Sequence, residues 1–330
     1  MASLVARLGG LAVEALMELQ YRFPLTPTPY CDVAHRLGVE PDRLVSTLRE
    51  LSRLGVLKRV GFYLNYRSTG KVAALVAYST GGDKRKLEAL AAEYRSDPLA
   101  THVYLRDHPY YDVWVVVKRG SRGELERHTA TLASRLGLDY VILYSRRTLK
   151  LSVKYDLLEG ISRSGPYPAV HPSPPRPEEL GYPASLARAL RVLPLEARPY
   201  RRIAAAHGMS EDEVVEAARV MLEAGVLGDP GAALDGHRAG FPENGMVVME
   251  PLSSGEEGLC SCAAGLPYST HVVLRESVPP GAWRHTCYFM VHAVSREKLA
   301  EAVRHAESTC RPRSLMVIRS LADLKPGVVR

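Results

Sequence analysis

An internal repeat constrains the fold of this 330-residue chain more than any other feature. The segment LTPTPYCDVAHRLGVEP, which starts at Leu25, aligns without a gap on LEARPYRRIAAAHGMSE, which starts at Leu195. The register continues through the motif GVL at 55–57 and 225–227, and similarity resumes where Thr101-His102 matches Thr270-His271. Self-similarity at a fixed offset indicates that one structural unit has been duplicated, so two copies of a single fold are predicted.

Each copy begins with the pattern of a helix-turn-helix. In the first copy a leading helix is predicted over 4–20 and a short helix over 30–37, and a third helix follows Glu40. Pro41 suits the first turn of that helix, and Gly55 suits the position just past its end. Residues 56–66 are predicted to form a wing hairpin, which would complete a winged helix-turn-helix.

The second part of each copy alternates strand and helix patterns. In the first copy the predicted elements are a strand at 72–79, a helix at 83–95, two strands within 101–118, a helix at 122–135 and a strand at 139–149. The order βαββαβ is that of a ferredoxin-like α+β domain, whose two helices cover one face of a four-stranded antiparallel sheet. Residues 246–319 repeat this order less regularly.

A proline-rich segment, ISRSGPYPAVHPSPPRPEELGYP, separates the copies and predicts a semi-rigid linker. The predicted domains are a winged helix-turn-helix at 1–70, a ferredoxin-like domain at 71–155, the linker at 156–181, a degenerate winged helix-turn-helix at 182–243 and a second ferredoxin-like domain at 244–330. The chain is therefore expected to be an internal pseudo-dimer.

Composition narrows the class of protein. No apolar run approaches the roughly 18–20 residues that a membrane helix needs, and the N-terminus reads as a helix rather than a signal peptide. The five cysteines lack the paired spacing of a zinc site, which favours reduced thiols in the cytoplasm. Glutamine occurs once and asparagine twice, and this depletion of heat-labile amides suggests a thermophilic source.

The net charge of +7 is concentrated in the first copy. Residues 1–155 hold 24 Lys and Arg against 15 Asp and Glu, which gives +9, whereas the remainder holds 19 against 21, which gives −2. A basic half suits either nucleic acid or a polyanionic small molecule, and charge alone does not choose between them.

The stretch THVYLRDHPYYDVWVVVK, residues 101–118, is the strongest candidate for function. His102, Tyr104, Arg106 and His108 fall at every second position, so one strand is predicted to present all four on one face. Such side chains are poor material for a core, but they suit the binding and protonation of an acidic ligand. A weaker version, STHVVLR, returns at 269–275.

A winged helix-turn-helix followed by a ferredoxin-like domain resembles the Lrp/AsnC regulators. Three segments, FPLTPTPYCDVAHRLGV, KRVGFYLNYRSTG and THVYLRDHPYYDVWVVV, resemble more closely the siroheme decarboxylase branch of that family. In this branch two homologous subunits pair around one tetrapyrrole, and the present chain resembles both subunits fused.

The resemblance implies a carboxy-lyase that converts siroheme to 12,18-didecarboxysiroheme in haem or haem d1 synthesis. Such a reaction needs guanidinium groups to orient carboxylates, an apolar slot that desolvates the scissile carboxylate, and an acid that protonates the carbon left behind. No separate cofactor and no protein-bound metal are expected, although an imidazole could bind the iron of the substrate.

The roles follow from residue type. Catalytic roles are predicted for His108, Arg106, His102 and Tyr104. Substrate-binding roles are predicted for Arg67, Trp114, Tyr111, His271, Arg275 and His285. Ordinary structural roles stay open for all of them: a histidine bonded to a neighbouring loop, an arginine in a buried ion pair, or an aromatic ring that only packs.

Two other functions remain open, namely a DNA-binding regulator and a tetrapyrrole sensor without turnover. The third helix of the second copy argues against DNA, because phosphates would repel its acidic surface. Its charged residues are Glu211, Asp212, Glu213, Glu216 and Glu223 against Arg219. An enzyme that binds siroheme, without DNA or membrane as a partner, is therefore predicted, and further association of two chains stays open.

Overall fold

The computed structural model describes residues 8–166, 170–252 and 255–326 and shows the predicted duplication. The first copy contains α1 (Gly10–Tyr21), α2 (Pro29–Arg36), α3 (Pro41–Arg53), β1 (Leu57–Leu64), β2 (Val72–Ser79), α4 (Lys84–Ser96), β3 (Ala100–Arg106), β4 (Val113–Arg119), α5 (Arg122–Leu136) and β5 (Asp139–Leu151). Two short strands follow, β6 (Lys154–Asp156) and β7 (Ile161–Arg163). The second copy contains α6 (Ala184–Ala189), α7 (Arg201–His207), α8 (Glu211–Glu223), β8 (Leu227–Leu234), β9 (Glu243–Glu250), α9 (Glu256–Gly265), β10 (His271–Val278), β11 (Cys287–Ala293), α10 (Arg296–Cys310) and β12 (Ser314–Asp323).

The helix-turn-helix halves form for the reasons that the sequence indicates. Leu44, Leu48 and Leu51 are buried on one face of α3 and pack in a cluster with α1 and α2. Each such side chain contributes about 1.5–3 kcal/mol when fully buried. Pro41 lies in the first turn of α3, and Gly55, with φ of 71°, follows its end. The predicted start of the leading helix, Leu4, lies outside the described residues.

The wings depart from the prediction. β1 does not fold back on its own copy but pairs antiparallel with β8, so that Leu57 lies opposite Leu234 and Leu64 opposite Leu227. The predicted wing hairpin at 56–66 is therefore wrong, because each copy supplies one strand of a shared ribbon. Gly61 permits this arrangement, since a Cβ there would meet the carbonyl oxygen of Arg191 at 2.5 Å.

The two ferredoxin-like domains are joined through their edge strands. Their strand orders are β5–β2–β4–β3 and β12–β9–β11–β10, and β3 pairs with β12 while β5 pairs with β10. Eight antiparallel strands therefore form one ring, here called the closed sheet, in which every strand has two neighbours. The hairpin β6–β7, at the start of the segment predicted as a linker, adds to it at β11.

The closed sheet has an outer and an inner face. Helices α4, α5, α9 and α10 pack on the outer face, over separate apolar clusters in the two copies. Side chains from both copies meet on the inner face, among them Trp114 and Tyr288, which are 1% and 3% exposed. The inner faces thus pack against each other, although the two sheets are continuous through their edges.

The loops define two ends of the closed sheet. The loops at 107–112 and 279–286 lie at one end, here called the hairpin end, where the ring of His108 packs against that of Trp283. The opposite end, here called the wing end, carries the ribbon β1–β8 and the segment 66–69 that follows β1. Among the described residues, no helix is long and apolar enough to span a membrane.

Two disulfides overturn the expectation of reduced thiols. Cys260 of α9 is bonded to Cys287 of β11, and Cys262 is bonded to Cys310 at the end of α10, with Cα atoms 5.4 Å and 5.6 Å apart. Cys31 is a free thiol. The prediction failed because it considered only neighbours in sequence, whereas residues two apart on a helix point to different partners. The disulfides hold the short helix α9 to the rest of its domain.

Reduction is expected to destabilise the second ferredoxin-like domain. The disulfides close loops with separations of 27 and 48 residues, and each contributes about 3–4 kcal/mol in the chain-entropy model. We expect dithiothreitol to lower the melting temperature by on the order of 10 °C. Iodoacetamide should label one cysteine of the denatured, unreduced protein and all five after reduction.

The variant Cys31→Ser is the matched control, because it retains both disulfides. It should show the same loss of melting temperature on reduction as the unmodified protein. Labelling of five cysteines without prior reduction would contradict the assignment.

Candidate active site

The predicted site residues of β3 and β10 do line the interior of the closed sheet. His102, Tyr104 and Arg106 alternate on the inner face of β3, and His271 and Arg275 occupy the corresponding face of β10. The rings of His102 and Tyr104 lie 6.1 Å apart. Since β3 ends at Arg106, the prediction that His108 shares this strand face is wrong, and His108 lies in the following loop.

Arg106 and Arg275 occupy equivalent places in the two copies. Arg106 donates from Nη1 to the carbonyl of Ile318 at 3.2 Å, and Arg275 donates from Nη1 to the carbonyl of Leu143 at 3.0 Å. Each guanidinium also lies 5.1 Å from the centre of a tyrosine ring, which is Tyr104 of the same strand for Arg106 and a tyrosine of the neighbouring strand β11 for Arg275. The pair is therefore related by the internal repeat.

Within the part of the chain that the structure describes, neither of these arginines forms a salt bridge with a carboxylate. Among the salt bridges of the described residues none involves Arg106 or Arg275, and the Nε of each is buried without a hydrogen-bond acceptor. Burial lowers the pKa of Arg106 to about 10 and lowers the pKa of Arg275. A buried cation without a counter-ion is costly, so the alternative of a structural ion pair finds no support here.

His108 lies at the hairpin end, where the loop holds its ring in one orientation. Its Nδ1 accepts hydrogen bonds from the backbone N–H groups of Tyr110 at 3.1 Å and Tyr111 at 2.8 Å. Two donors at Nδ1 place the ring proton on Nε2 and oppose protonation of Nδ1. Burial, followed by the nearby His285, lowers the pKa of His108. A neutral His108 that donates from Nε2 is the arrangement that these contacts favour.

Aromatic rings surround His108. The ring of Tyr111 stacks on it at 5.8 Å, Trp283 approaches to 5.3 Å and Trp114 to 6.1 Å. Trp114 and Trp283 contact each other at 5.6 Å. This group joins the two copies, and it provides the apolar surface that a flat macrocycle would need.

Two residues beside His285 were not recognised in the sequence. Ser314 donates to the carboxylate of Glu250 at 3.0 Å, and the Nε2 of His285 lies 3.0 Å from the same hydroxyl. Burial lowers the pKa of His285, and the charge of Glu250 opposes this shift. The three residues come from β9, from the loop before β11 and from β12, so no local motif could have revealed the contact.

The wing end carries further cations. Arg67 donates from Nη1 to the carbonyl of Pro172 at 2.9 Å and from Nη2 to Ser145 at 3.4 Å. The ammonium of Lys118 lies 5.6 Å from the centre of the Tyr66 ring, and Arg67 approaches the same ring at 5.7 Å. Sequence reasoning missed Lys118, although its alternation with Trp114 places it on the inner face.

Positive charges dominate that end. Burial, followed by the nearby Arg191 and Lys71, lowers the pKa of Lys118 to about 8. Burial and then Arg275 lower the pKa of His271 to about 4, and burial lowers the pKa of His292 to about 3. Near neutral pH the two imidazoles are therefore uncharged, and the positive charge of the wing end comes from Lys118 and the arginine and lysine side chains around it, which suit an anionic ligand.

Two further observations delimit the site. A cleft of about 450 Å³ opens between the first wing, the linker and α8, but its lining residues include no Lys or Arg, so it does not suit a polyanion. Within residues 8–166, 170–252 and 255–326, no group of three or more His, Cys, Asp or Glu side chains could hold a metal ion.

Comparison with known proteins agrees with this architecture. The model of the AsnC-like ligand binding domain matches residues 69–150 and 238–325, and the model of the siroheme decarboxylase NirDL-like HTH domain matches 14–57 and 186–227. The siroheme decarboxylase of Hydrogenobacter thermophilus is 27% identical over 85% of this chain and 83% of its own length. The siroheme decarboxylase alpha subunit of Desulfovibrio desulfuricans is 28% identical over 42% of this chain and 78% of its own length.

A solved structure has the same fold along nearly the whole chain. The siroheme decarboxylase NirDL in complex with an iron-uroporphyrin III analogue superimposes with a TM-score of 0.64 and 22% identity, over 96% of this chain and 92% of that one. The tandem repeat, the closed sheet and the matches to both family models lead to one conclusion: the chain belongs to the family of the AsnC-like ligand binding domain and carries two copies of the NirDL-like helix-turn-helix.

Proposed function

We propose that this chain is a siroheme decarboxylase, a carboxy-lyase that removes the carboxyl groups of two acetate side chains to give 12,18-didecarboxysiroheme. The observation that carries the proposal is the pair of arginines, the buried Arg106 and the half-buried Arg275, that face the interior and form no salt bridge with any carboxylate of the described residues. Siroheme brings eight carboxylates, and its binding would compensate these charges. The similarity of the chain to siroheme decarboxylases supports decarboxylation of this substrate.

The residues divide into three roles. Arg106 and Arg275 bind carboxylates, and the wing-end cations Arg67 and Lys118 bind others at the periphery. Trp114, Tyr111 and Trp283 supply the apolar surface for the macrocycle. His102, Tyr104 and His271 complete the inner wall, and His108 donates a hydrogen bond from Nε2.

Decarboxylation requires two contributions from the protein, namely desolvation of the scissile carboxylate and delivery of a proton. Desolvation raises the free energy of the scissile carboxylate relative to neutral carbon dioxide, which promotes cleavage of the bond between them. The electron pair stays on the carbon that becomes the methyl group, and a proton completes it. The macrocycle and its iron enter with the substrate. We further propose that the two copies act as an internal pseudo-dimer, because some relatives consist of separate subunits.

Direct assay tests the reaction. Purified protein incubated with siroheme without oxygen should yield a tetrapyrrole lighter by two molecules of carbon dioxide, as measured by mass spectrometry. Tight binding without a change in mass would instead indicate the sensor.

Substitution of the buried arginines tests their binding role. Arg106→Met and Arg275→Met should each weaken siroheme binding by about 10–100-fold, because a charged hydrogen bond contributes about 1.5–3 kcal/mol. The melting temperature of the ligand-free protein should stay the same or rise, since a buried unpaired charge is removed. Absorbance titration and thermal unfolding measure the two effects.

The exposed Arg304→Met is the matched control and should alter neither quantity. A large drop in melting temperature with unchanged affinity would mean that the arginines have a structural role instead.

Two substitutions at His108 separate its structural role from its functional one. In His108→Asn the amide oxygen replaces Nδ1 as acceptor for the loop, but the Nε2 donor is lost. We expect this variant to keep the melting temperature and to lose kcat/KM by about 10–100-fold. In His108→Gln the donor position is retained and the loop contact is lost, so the melting temperature should fall. Equal activity of His108→Asn and the unmodified protein would exclude a role for Nε2.

The regulator is the weaker alternative, and DNA binding tests it. The strands β1 and β8 that would act as wings pair with each other, and Glu211, Glu213 and Glu216 lie on α8. We expect no salt-sensitive binding to duplex DNA at physiological ionic strength, as measured by fluorescence anisotropy. Binding that weakens steeply with salt would support the regulator.

A further inference from the structure

A chain of hydrogen bonds crosses the second copy at the hairpin end. The hydroxyl of Ser314 donates to the Oε2 of Glu250 at 3.0 Å, and the Nε2 of His285 lies 3.0 Å from that hydroxyl. The backbone carbonyl of His285 accepts a hydrogen bond from the indole of Trp283 at 2.9 Å, which fixes the residue from the other side. The Glu250 side chain is 17% exposed, so the chain is largely sheltered from water.

The direction of these hydrogen bonds follows from the number of protons. A serine hydroxyl has one proton, and a carboxylate can only accept. Because the proton of Ser314 goes to Glu250, the contact with His285 requires a proton on the Nε2 of the imidazole. His285 is therefore held as the Nε2–H tautomer, and its Nδ1 is the atom left to gain and release a proton.

The hydrogen bonds of His108 oppose protonation of its ring, in contrast to those of His285. Its Nδ1 faces two backbone N–H groups, so the imidazolium form would place one N–H against two others. A neutral imidazole that donates from Nε2 can orient a carboxylate but is a poor source of a proton. Of the two histidines at the hairpin end, His285 is joined to a carboxylate through the hydroxyl of Ser314, whereas the carboxylate near His108, that of Asp107, raises its pKa only through space and less than burial lowers it.

The charged groups around His285 are few. Glu250 of β9 approaches it through Ser314, Arg313 lies 3.8 Å from the other oxygen of Glu250, and His108 faces it from the loop of the first copy. The ring of Trp283 contacts both imidazoles, at 5.3 Å from His108 and 5.6 Å from His285. The imidazole of His285 therefore borders the apolar surface that joins the copies.

We infer that His285 is the proton donor of the reaction and that Glu250 and Ser314 are positioning residues that fix its tautomer and stabilise its cationic form. This inference rests on the proposed function. The bond between the acetate methylene and its carboxyl carbon breaks, carbon dioxide leaves, and the electron pair remains on the methylene. That carbon takes the proton from Nδ1 of His285 and becomes a methyl group. His285 is left neutral, with its Nε2 proton still directed to Ser314, and regains a proton from water before the second decarboxylation.

Activity measurements test the inference against a purely structural role. For the unmodified protein, kcat/KM should fall as the pH rises through a midpoint below 6.5, because burial lowers the pKa of His285 and the protonated form is the active one. Ser314→Ala and Glu250→Gln should lower kcat by about 10–100-fold, leave KM nearly unchanged and move the midpoint to lower pH, since each removes support for the cation. Ser314→Thr, which retains the hydroxyl, should restore most of the rate.

The matched controls are Ser308→Ala, on the exposed face of α10, and Glu243→Gln, at the other end of β9. Both should keep the unmodified rate and pH profile. The inference would be overturned if Ser314→Ala kept both the kcat and the pH profile of the unmodified protein. It would also be overturned if Ser314→Thr lost as much of its kcat as Ser314→Ala.

A spectroscopic measurement keeps this inference separate from the proposed reaction. In protein labelled with ¹⁵N-histidine, the ring nitrogens of His285 should show the Nε2–H tautomer at neutral pH, and Ser314→Ala should produce a mixture of tautomers. The assignment is made by comparison with His285→Gln. An Nδ1–H tautomer in the unmodified protein would overturn the inference even if siroheme is decarboxylated. If siroheme is not decarboxylated but His285 shows the expected Nε2–H tautomer, the proposed reaction is refuted, whereas the hydrogen-bond chain from Glu250 to His285 is not.

Discussion

The pairing of edge strands between the two copies is the interaction on which the rest of the structure depends. In each ferredoxin-like domain the edge strands would expose unpaired N–H and C=O groups, which are a liability in water. The pairs β3–β12 and β5–β10 satisfy these groups and close the sheet. Closure also creates the interior, because residues that would lie on an open sheet face are enclosed by the other copy. The wing ribbon β1–β8 joins the copies a second time and sets the wing end of that interior.

The charges inside this enclosure show what it is built to hold. Unpaired guanidinium groups reduce the stability of the ligand-free protein, and such a cost persists only where a function requires it. Arg106 and Arg275 each donate one hydrogen bond to a backbone carbonyl and lie on a tyrosine ring, contacts that orient the guanidinium without neutralising it. The proposed polyanionic substrate would supply the missing charges. Lys118 is also a cation among cations. Burial lowers its pKa, and the nearby Arg191 and Lys71 lower it further.

Much of this architecture follows from sequence patterns, and the failures share one cause. The repeat, the βαββαβ order and the inward alternation of His102, Tyr104 and Arg106 depend on local periodicity, and the structure confirms them. The shared wing ribbon, both disulfides and the contact of Ser314 with His285 join residues that are far apart in sequence, and no local pattern encodes them. The sequence predicts His108 on the strand face because the spacing of two residues between side chains of one face continues past Arg106. In the molecule the chain turns there, so that two backbone N–H groups can reach its ring.

Duplication followed by divergence explains why the two copies now differ. The equivalent arginines keep the same contacts, as the proposed binding of one large ligand by carboxylate contacts to both copies requires. Away from them the copies have specialised. The first supplies the cations of the wing end and a histidine fixed as a neutral donor, and the second supplies an imidazole backed by a carboxylate. A second proton donor would add little to the rate, because a single donor can regain its proton from water between the two decarboxylations. By contrast, orientation of the proposed eight-carboxylate substrate requires contacts that differ between its two sides.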